Sequence, residues 1–171
     1  MNVSLVLTVI CDDRPGIVER LSETLSAHDG SWVESGMVSM AGKFAGVLYA
    51  VVSEGQQEKA ISAFKALAGE GMNIQVEATS EAASHYVKGV NLELVGQDRP
   101  GIIRDISKVL ASFDVNVDEL ATCITDASMS GEHLFNANVH LKIPQGCDLE
   151  ALQNALEDLA DELMVDIELS E

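Results

Sequence analysis

The sequence predicts an α+β protein made of two copies of a βαββαβ unit. Each copy is expected to form an antiparallel sheet with two helices on one face. Three observations carry this. The pentapeptide Asp-Arg-Pro-Gly-Ile occurs at 13–17 and again at 98–102, 85 positions apart. A chain of 171 residues therefore holds two similar units of about 80 to 85 residues. After each pentapeptide the periodicities run in one order: helical, strand, strand, helical, strand.

The elements follow in chain order. Val3–Ile10, "VSLVLTVI", is rich in branched apolar residues and ends at turn chemistry, so it reads as a strand. Asp13 is placed to cap the following helix, with Pro15 in its first turn, where a missing N–H costs nothing. Ile17, Val18, Leu21 and Leu25 recur at helical spacing, and His28–Gly30 stops the helix. "WVESGMVSM" and "FAGVLYAVVS" are two strands joined near Ala41–Lys43 as a hairpin. Ala60, Ile61, Phe64, Leu67 and Ala68 mark a second helix that ends near Gly69–Gly71, and "MNIQVEAT" is a fourth strand.

The second unit repeats the order. Strand Val87–Val95 leads into the turn. Ile102, Ile103, Ile106, Val109, Leu110 and Phe113 mark a helix. Strands follow at about Val115–Thr125 and Leu134–Ile143. A helix carries Leu149, Leu152, Leu156, Leu159 and Leu163, and the last strand is about Val165–Leu169. The polar, small stretch Ser80–Tyr86 reads as the linker. The expected domains are thus 1–80 and 87–171, with 81–86 between them. The order βαββαβ is that of a ferredoxin-like unit.

Such a unit leaves one sheet face without helices, and the two copies treat that face differently. "FNANVHLKI" alternates Phe135, Ala137, Val139, Leu141 and Ile143 with Asn136, Asn138, His140 and Lys142, the pattern of a strand with one wet face. "FAGVLYAVVS" is apolar on both faces, so the open face of the first unit is expected to be covered, by the other unit or by a second copy of the chain.

The repeated turn is the candidate site. A Pro-Gly turn at a helix start leaves backbone amides exposed at the positive end of the helix dipole, where small anions including carboxylates bind. Gly16 and Gly101 allow close approach to the backbone. Asp13 and Asp98 can accept from an ammonium or cap the helix. Amide donors beside a carboxylate suit a zwitterion, that is, an amino acid. The alternative is a well-formed capped turn that binds nothing.

Asp-Arg-Pro-Gly-Ile after a first strand, within a βαββαβ unit, resembles the ACT domain, a regulatory module that binds amino acids and other small ligands. Two such units, with "GSWVESGMVSMAGKFAG" in the first, resemble the tandem ACT regulators related to the glycine cleavage system transcriptional repressor. The resemblance implies ligand sites at domain interfaces. Each would use the turn (Asp98, Arg99, Pro100, Gly101 and Ile102; Asp13, Arg14, Pro15, Gly16 and Ile17) plus a residue entering the second strand. That residue is often Asn and matches Asn116; its counterpart in the first unit is Ser31. The implied function is a non-enzymatic sensor of a small amino acid such as glycine, acting through a regulatory protein partner, with a dimer as the expected assembly.

Other classes fit less well. Lys plus Arg total 10 against 28 Asp plus Glu, a net charge of −18. It divides as −6 over residues 1–84 and −12 over 85–171. Nucleic acids need cationic surfaces, and RNA-binding βαββαβ domains need aromatic residues on the central strands; "LFNANVHLKI" lacks them. The acidity reads as self-repulsion or as an acidic docking surface. Cys11, Cys123 and Cys147 are scattered outside any CxxC, which fits a reducing cytosol. His28, His85, His133 and His140 show no ligand spacing with them, so neither a metal nor a cofactor is expected. No nucleophile–base pairing points to an enzyme. The N-terminus reads as a strand, not a signal peptide, and no apolar run reaches a membrane span. Trp32, the single tryptophan, is expected to anchor the core or an interface. A structural or dimerisation adaptor without a ligand is the alternative function.

Overall fold

The computed structural model describes residues 1–80, 86–127 and 131–170. The chain divides into two compact units, Met1–Ala82 and Ala83–Glu171. The first contains β1 (Asn2–Asp12), α1 (Ile17–Ser26), β2 (Ser31–Met40), β3 (Lys43–Ser53), α2 (Gln57–Ala66) and β4 (Asn73–Thr79). The second contains β5 (Tyr86–Gln97), α3 (Ile102–Ser112), β6 (Asn116–Asp126), β7 (His133–Pro144), α4 (Leu149–Leu163) and β8 (Val165–Ser170). Most of the expected linker lies outside the described residues, and Tyr86 already belongs to β5.

The strand orders are β2-β3-β1-β4 and β6-β7-β5-β8, and the pairings are antiparallel. Away from the register shifts at Trp32/Glu34, Tyr86/Lys88 and Val117/Glu119, the two-residue strand period then assigns side chains to faces. In the first unit Leu5, Leu7 and Val9 of β1 lie opposite Ala50, Leu48 and Gly46 of β3. The leucines, Val9 and Ala50 are buried with Ile17, Leu21 and Leu25 of α1 and Ala60 and Phe64 of α2. Trp32 packs against this core, and its Nε1 donates to Ser35 Oγ at 3.1 Å. In the second unit Leu92 and Leu94 join Val139, Leu141, Ile106, Leu110, Leu152 and Leu156. The leucines of α4 point inward, as their spacing predicts.

The alternation read in β7 holds: Ala137, Val139, Leu141 and Ile143 are buried, while Asn138 and His140 are exposed. The first unit's open face is apolar. Val6, Tyr49 and Val51 are partly buried there, and Ile10, Val38, Met40 and Val47 are each about half or more exposed. The twofold apolar character of β3 therefore splits into a core face (Leu48, Ala50, Val52) and an open apolar face.

Two expectations for the helix start need correction. The N-cap of α1 is Gly16, not Asp13, and no side chain caps it. Pro15 precedes the helix instead of lying in its first turn. The physical reason is backbone geometry. Gly16 takes φ +90° and Gly101 takes φ +94°, a left-handed conformation open chiefly to glycine. That conformation turns the chain directly into the helix, three residues too late for Asp13 to cap it.

Candidate ligand site

The two turns are built alike. The first helical hydrogen bond runs from Arg20 N to Gly16 O (2.9 Å), and in the second unit from Asp105 N to Gly101 O (3.0 Å). The amides of Ile17–Glu19 and of Ile102–Arg104 thus precede the helical ladder. No side chain among the described residues caps either helix. Ahead of each turn a backbone bond ties the strand end to the neighbouring hairpin: Asp13 N to Gly42 O and Asp98 N to His133 O, both 3.0 Å. Ile17 and Ile102 are buried and anchor the helix starts in the two cores.

The surrounding side chains differ. In the first unit Lys43 pairs with Asp12, and Ser39 Oγ donates to Asp13 at 2.5 Å. Arg14 Nη2 donates to the carbonyl of Glu70. Arg20 makes a forked pair with the Glu70 carboxylate, Nε to Oε2 at 2.9 Å and Nη2 to Oε1 at 2.7 Å. These contacts bolt the turn to the hairpin and to the 3-10 turn Leu67–Glu70 that follows α2. In the second unit Arg104 pairs with its neighbour Asp105 at 2.8 Å, and its guanidinium lies over the corner. A Cβ built on Gly101 would stand 2.8 Å from Arg104 Nη2, whereas one on Gly16 would meet only Glu19 Oε2 at 3.9 Å. Arg99, the counterpart of Arg14, has a buried Nη2 with no hydrogen-bond partner among the described residues.

The Arg20 hydrogen bond depresses the Glu70 pKa, burial opposing it only in part. A carboxylate depressed in the folded state adds stability above its unfolded value, about 4.3, and loses it as pH falls through the folded one. Glu70→Gln is therefore expected to lower the thermal midpoint at pH 7, with the difference from wild type shrinking below pH about 4. A difference unchanged by acid would show that the pair contributes nothing through its charge.

The strand-entry residues lie elsewhere. Asn116 opens β6 opposite Lys142, and Ser31 opens β2 opposite Val51. The turns follow strand ends paired at Leu134 and Lys43. Eight residues along β7, or along β3, separate the two positions, roughly 26 Å of extended chain. Within one unit, then, the residues of each turn come together, but Asn116 and Ser31 stand at the opposite end of the sheet.

Further groups fall outside the expected site. Cys11 is buried. Burial raises its thiol pKa above the ordinary value and Asp12 and Asp13 add to this, while Arg14 opposes it. It therefore stays a thiol and packs. His133 pairs with Asp126 at 2.9 Å, and His140 packs over Gly89; His85 lies outside the described residues. Among the described residues no cluster of three or more His, Cys, Asp or Glu is placed to hold a metal. None of their helices is long and apolar enough to cross a membrane. A cavity of about 390 Å³ on the open face of the second sheet is lined by Glu93, Val95, Ala121, Cys123, Asn136 and Asn138 among others. Sequence reasoning did not anticipate Arg104 at the second corner. The available signal was the reversal of Glu19-Arg20 into Arg104-Asp105 at the same repeat offset.

Fold and turns together define a tandem of two ferredoxin-like α+β modules with glycine-cornered, uncapped helix starts. Family models described as the ACT domain match residues 4–78 and 89–165. The chain belongs to the ACT-domain family, whose modules are regulatory. Among the solved structures that match are two that cover 99% or more of the chain. An unknown protein from Galdieria sulphuraria is 26% identical with a TM-score of 0.85, covering 100% of this chain and 99% of that one. A protein provisionally assigned as a glycine cleavage system transcriptional repressor is 17% identical with a TM-score of 0.74, covering 99% and 97%. At that identity the second likeness shows the fold alone. No curated protein matches the sequence.

Proposed function

We propose that the chain is a non-enzymatic cytoplasmic regulator that binds a small amino acid at its ACT turns and passes the signal to a partner protein. The single observation that carries this reading is the duplicated corner: a left-handed glycine, uncapped first-turn amides and an adjacent aspartate, made twice by one chain. The amides take a carboxylate and the aspartate takes an ammonium. Because Asn116 and Ser31 lie a sheet length from their own turns, a site that uses them would form between copies of the chain. Ligand and assembly are then coupled: a ligand that binds the closed interface shifts the chain toward it by its differential affinity. Control of the glycine cleavage system is the most specific form of the proposal, and glycine is its ligand. It is suggested by the name of a structural relative.

Titration calorimetry of the full chain with glycine, serine and other amino acids tests the reading. Saturable binding of at least one of them is expected, together with a change in sedimentation. A folded protein that binds none of them would overturn it. The open apolar face around Val38, Met40 and Val47 supports the second reading, a dimerisation module without a ligand; sedimentation that shows a dimer indifferent to every amino acid would favour it.

A further inference from the structure

The two corners carry opposite charge, and this separates their chemistry. The twelve residues 12–23 sum to −2, and the equivalent twelve at 97–108 sum to +1. The second unit is nonetheless the more acidic, −12 against −6. The inversion is local and comes from four positions: Asp12, Glu19, Arg20 and Glu23 are replaced by Gln97, Arg104, Asp105 and Lys108. In the first unit the carboxylate of Glu19 stands nearest Gly16. It complements the helix dipole and repels an incoming anion. Arg20 reaches away to Glu70.

In the second unit Asp105 holds the Arg104 guanidinium against Gly101. A cation in the first turn opposes the helix dipole and its partner Asp105 offsets that; the Arg104 side chain stays 66% exposed, so its guanidinium is open to an incoming anion as well. Arg99 and Lys108 are both close enough to Asp105 to help lower its pKa, after the larger effect of Arg104. The buried Arg99 Nη2 has no acceptor among the described residues, whereas Arg14 donates to Glu70. Three of the five lysines and arginines of residues 85–171 thus gather at one corner of an acidic unit.

Resting on the amino-acid sensing proposed above but not on glycine as its ligand, we infer that the corners are not equivalent: the second binds an anionic, dicarboxylic amino acid in preference to a neutral one, and the first binds no anion. Arg104 is the specificity-determining residue. The first-turn amides take the α-carboxylate, Asp98 takes the ammonium, and Arg104 takes the second carboxylate. A charge-assisted contact of this kind separates acidic from neutral ligands by about tenfold or more.

The test is calorimetry of the full chain with aspartate, glutamate, glycine, serine and inorganic phosphate. One dicarboxylic amino acid per chain is expected, bound at least about tenfold more tightly than glycine or serine. Arg104→Glu should abolish that preference, and Arg104→Gln, which keeps the shape, should reduce it; circular dichroism checks that both fold. Lys59→Glu, an equal charge change on the exposed side of α2, should leave the preference unchanged. Glycine binding as tightly as aspartate overturns the inference and leaves the amino-acid sensor standing. Two equal sites per chain, or phosphate equal to aspartate, overturns it as well. Binding of none of the five overturns the inference, and the sensor falls with it only if the wider set of amino acids also fails to bind.

Discussion

Phe64→Ala is expected to destabilise the first unit by about 3 to 5 kcal/mol. Phe64 is fully buried on α2, in the core that also holds Leu5, Leu7, Leu48 and Leu21. Truncation removes its transfer free energy and leaves a cavity that two helices and a sheet cannot close without moving together. Against a total stability of about 5 to 15 kcal/mol, the change approaches the threshold for unfolding. Urea denaturation followed by circular dichroism measures it. Val18→Ala is the control, because Val18 on α1 is 47% exposed; it should change stability by no more than about 0.5 kcal/mol. A Phe64→Ala loss as small as the control's would mean that the α2–sheet contact is not the core described.

Gly101→Val should cost stability and binding together. The backbone at Gly101 has φ +94°, a region that costs a non-glycine residue about 1 to 3 kcal/mol, with a β-branched side chain toward the upper end. The new side chain would also occupy the space of the Arg104 guanidinium, 2.8 Å from the position of its Cβ. Gly16→Val separates the two effects. It carries the same backbone strain at φ +90°, but its Cβ meets only Glu19 Oε2 at 3.9 Å. Both variants should lose similar stability, and only Gly101→Val should lose the dicarboxylic ligand. Gly36→Ala, in β2 where a Cβ meets nothing within 4 Å, should be close to neutral. Equal ligand binding by wild type and Gly101→Val would remove the second corner from the site.

Much of this molecule was legible before any coordinate. The alternation along Phe135–Ile143 fixed the buried face of β7, because a strand facing one core and one solvent leaves a two-residue period. The leucines of α4 gave both its length and its inner face, because a helix buries one stripe. Asp-Arg-Pro-Gly-Ile marked both helix starts, since a glycine there is set by backbone sterics alone. Asp13 was misread as a cap because the spacing of turn and helix depends on the φ of Gly16, and composition does not reveal that angle.

The composition of the candidate site was partly legible, its geometry much less so. The turn residues are contiguous, so they stay together in any fold that contains the turn. Asn116 and Ser31 are placed by the strand register, which carries them a sheet length away from their own turns. Arg20 finds Glu70 across 50 positions of sequence, whereas Arg104 finds only its neighbour Asp105. By itself the sequence determined two βαββαβ units, the core faces of β7 and the helices, and the glycine-bearing turns, because each of these depends on local sterics and short-range periodicity. The tertiary structure alone decided which distant groups hold the first corner. Ser39, Lys43 and Glu70 come from the neighbouring hairpin and from beyond α2, and only the folded chain brings them within range.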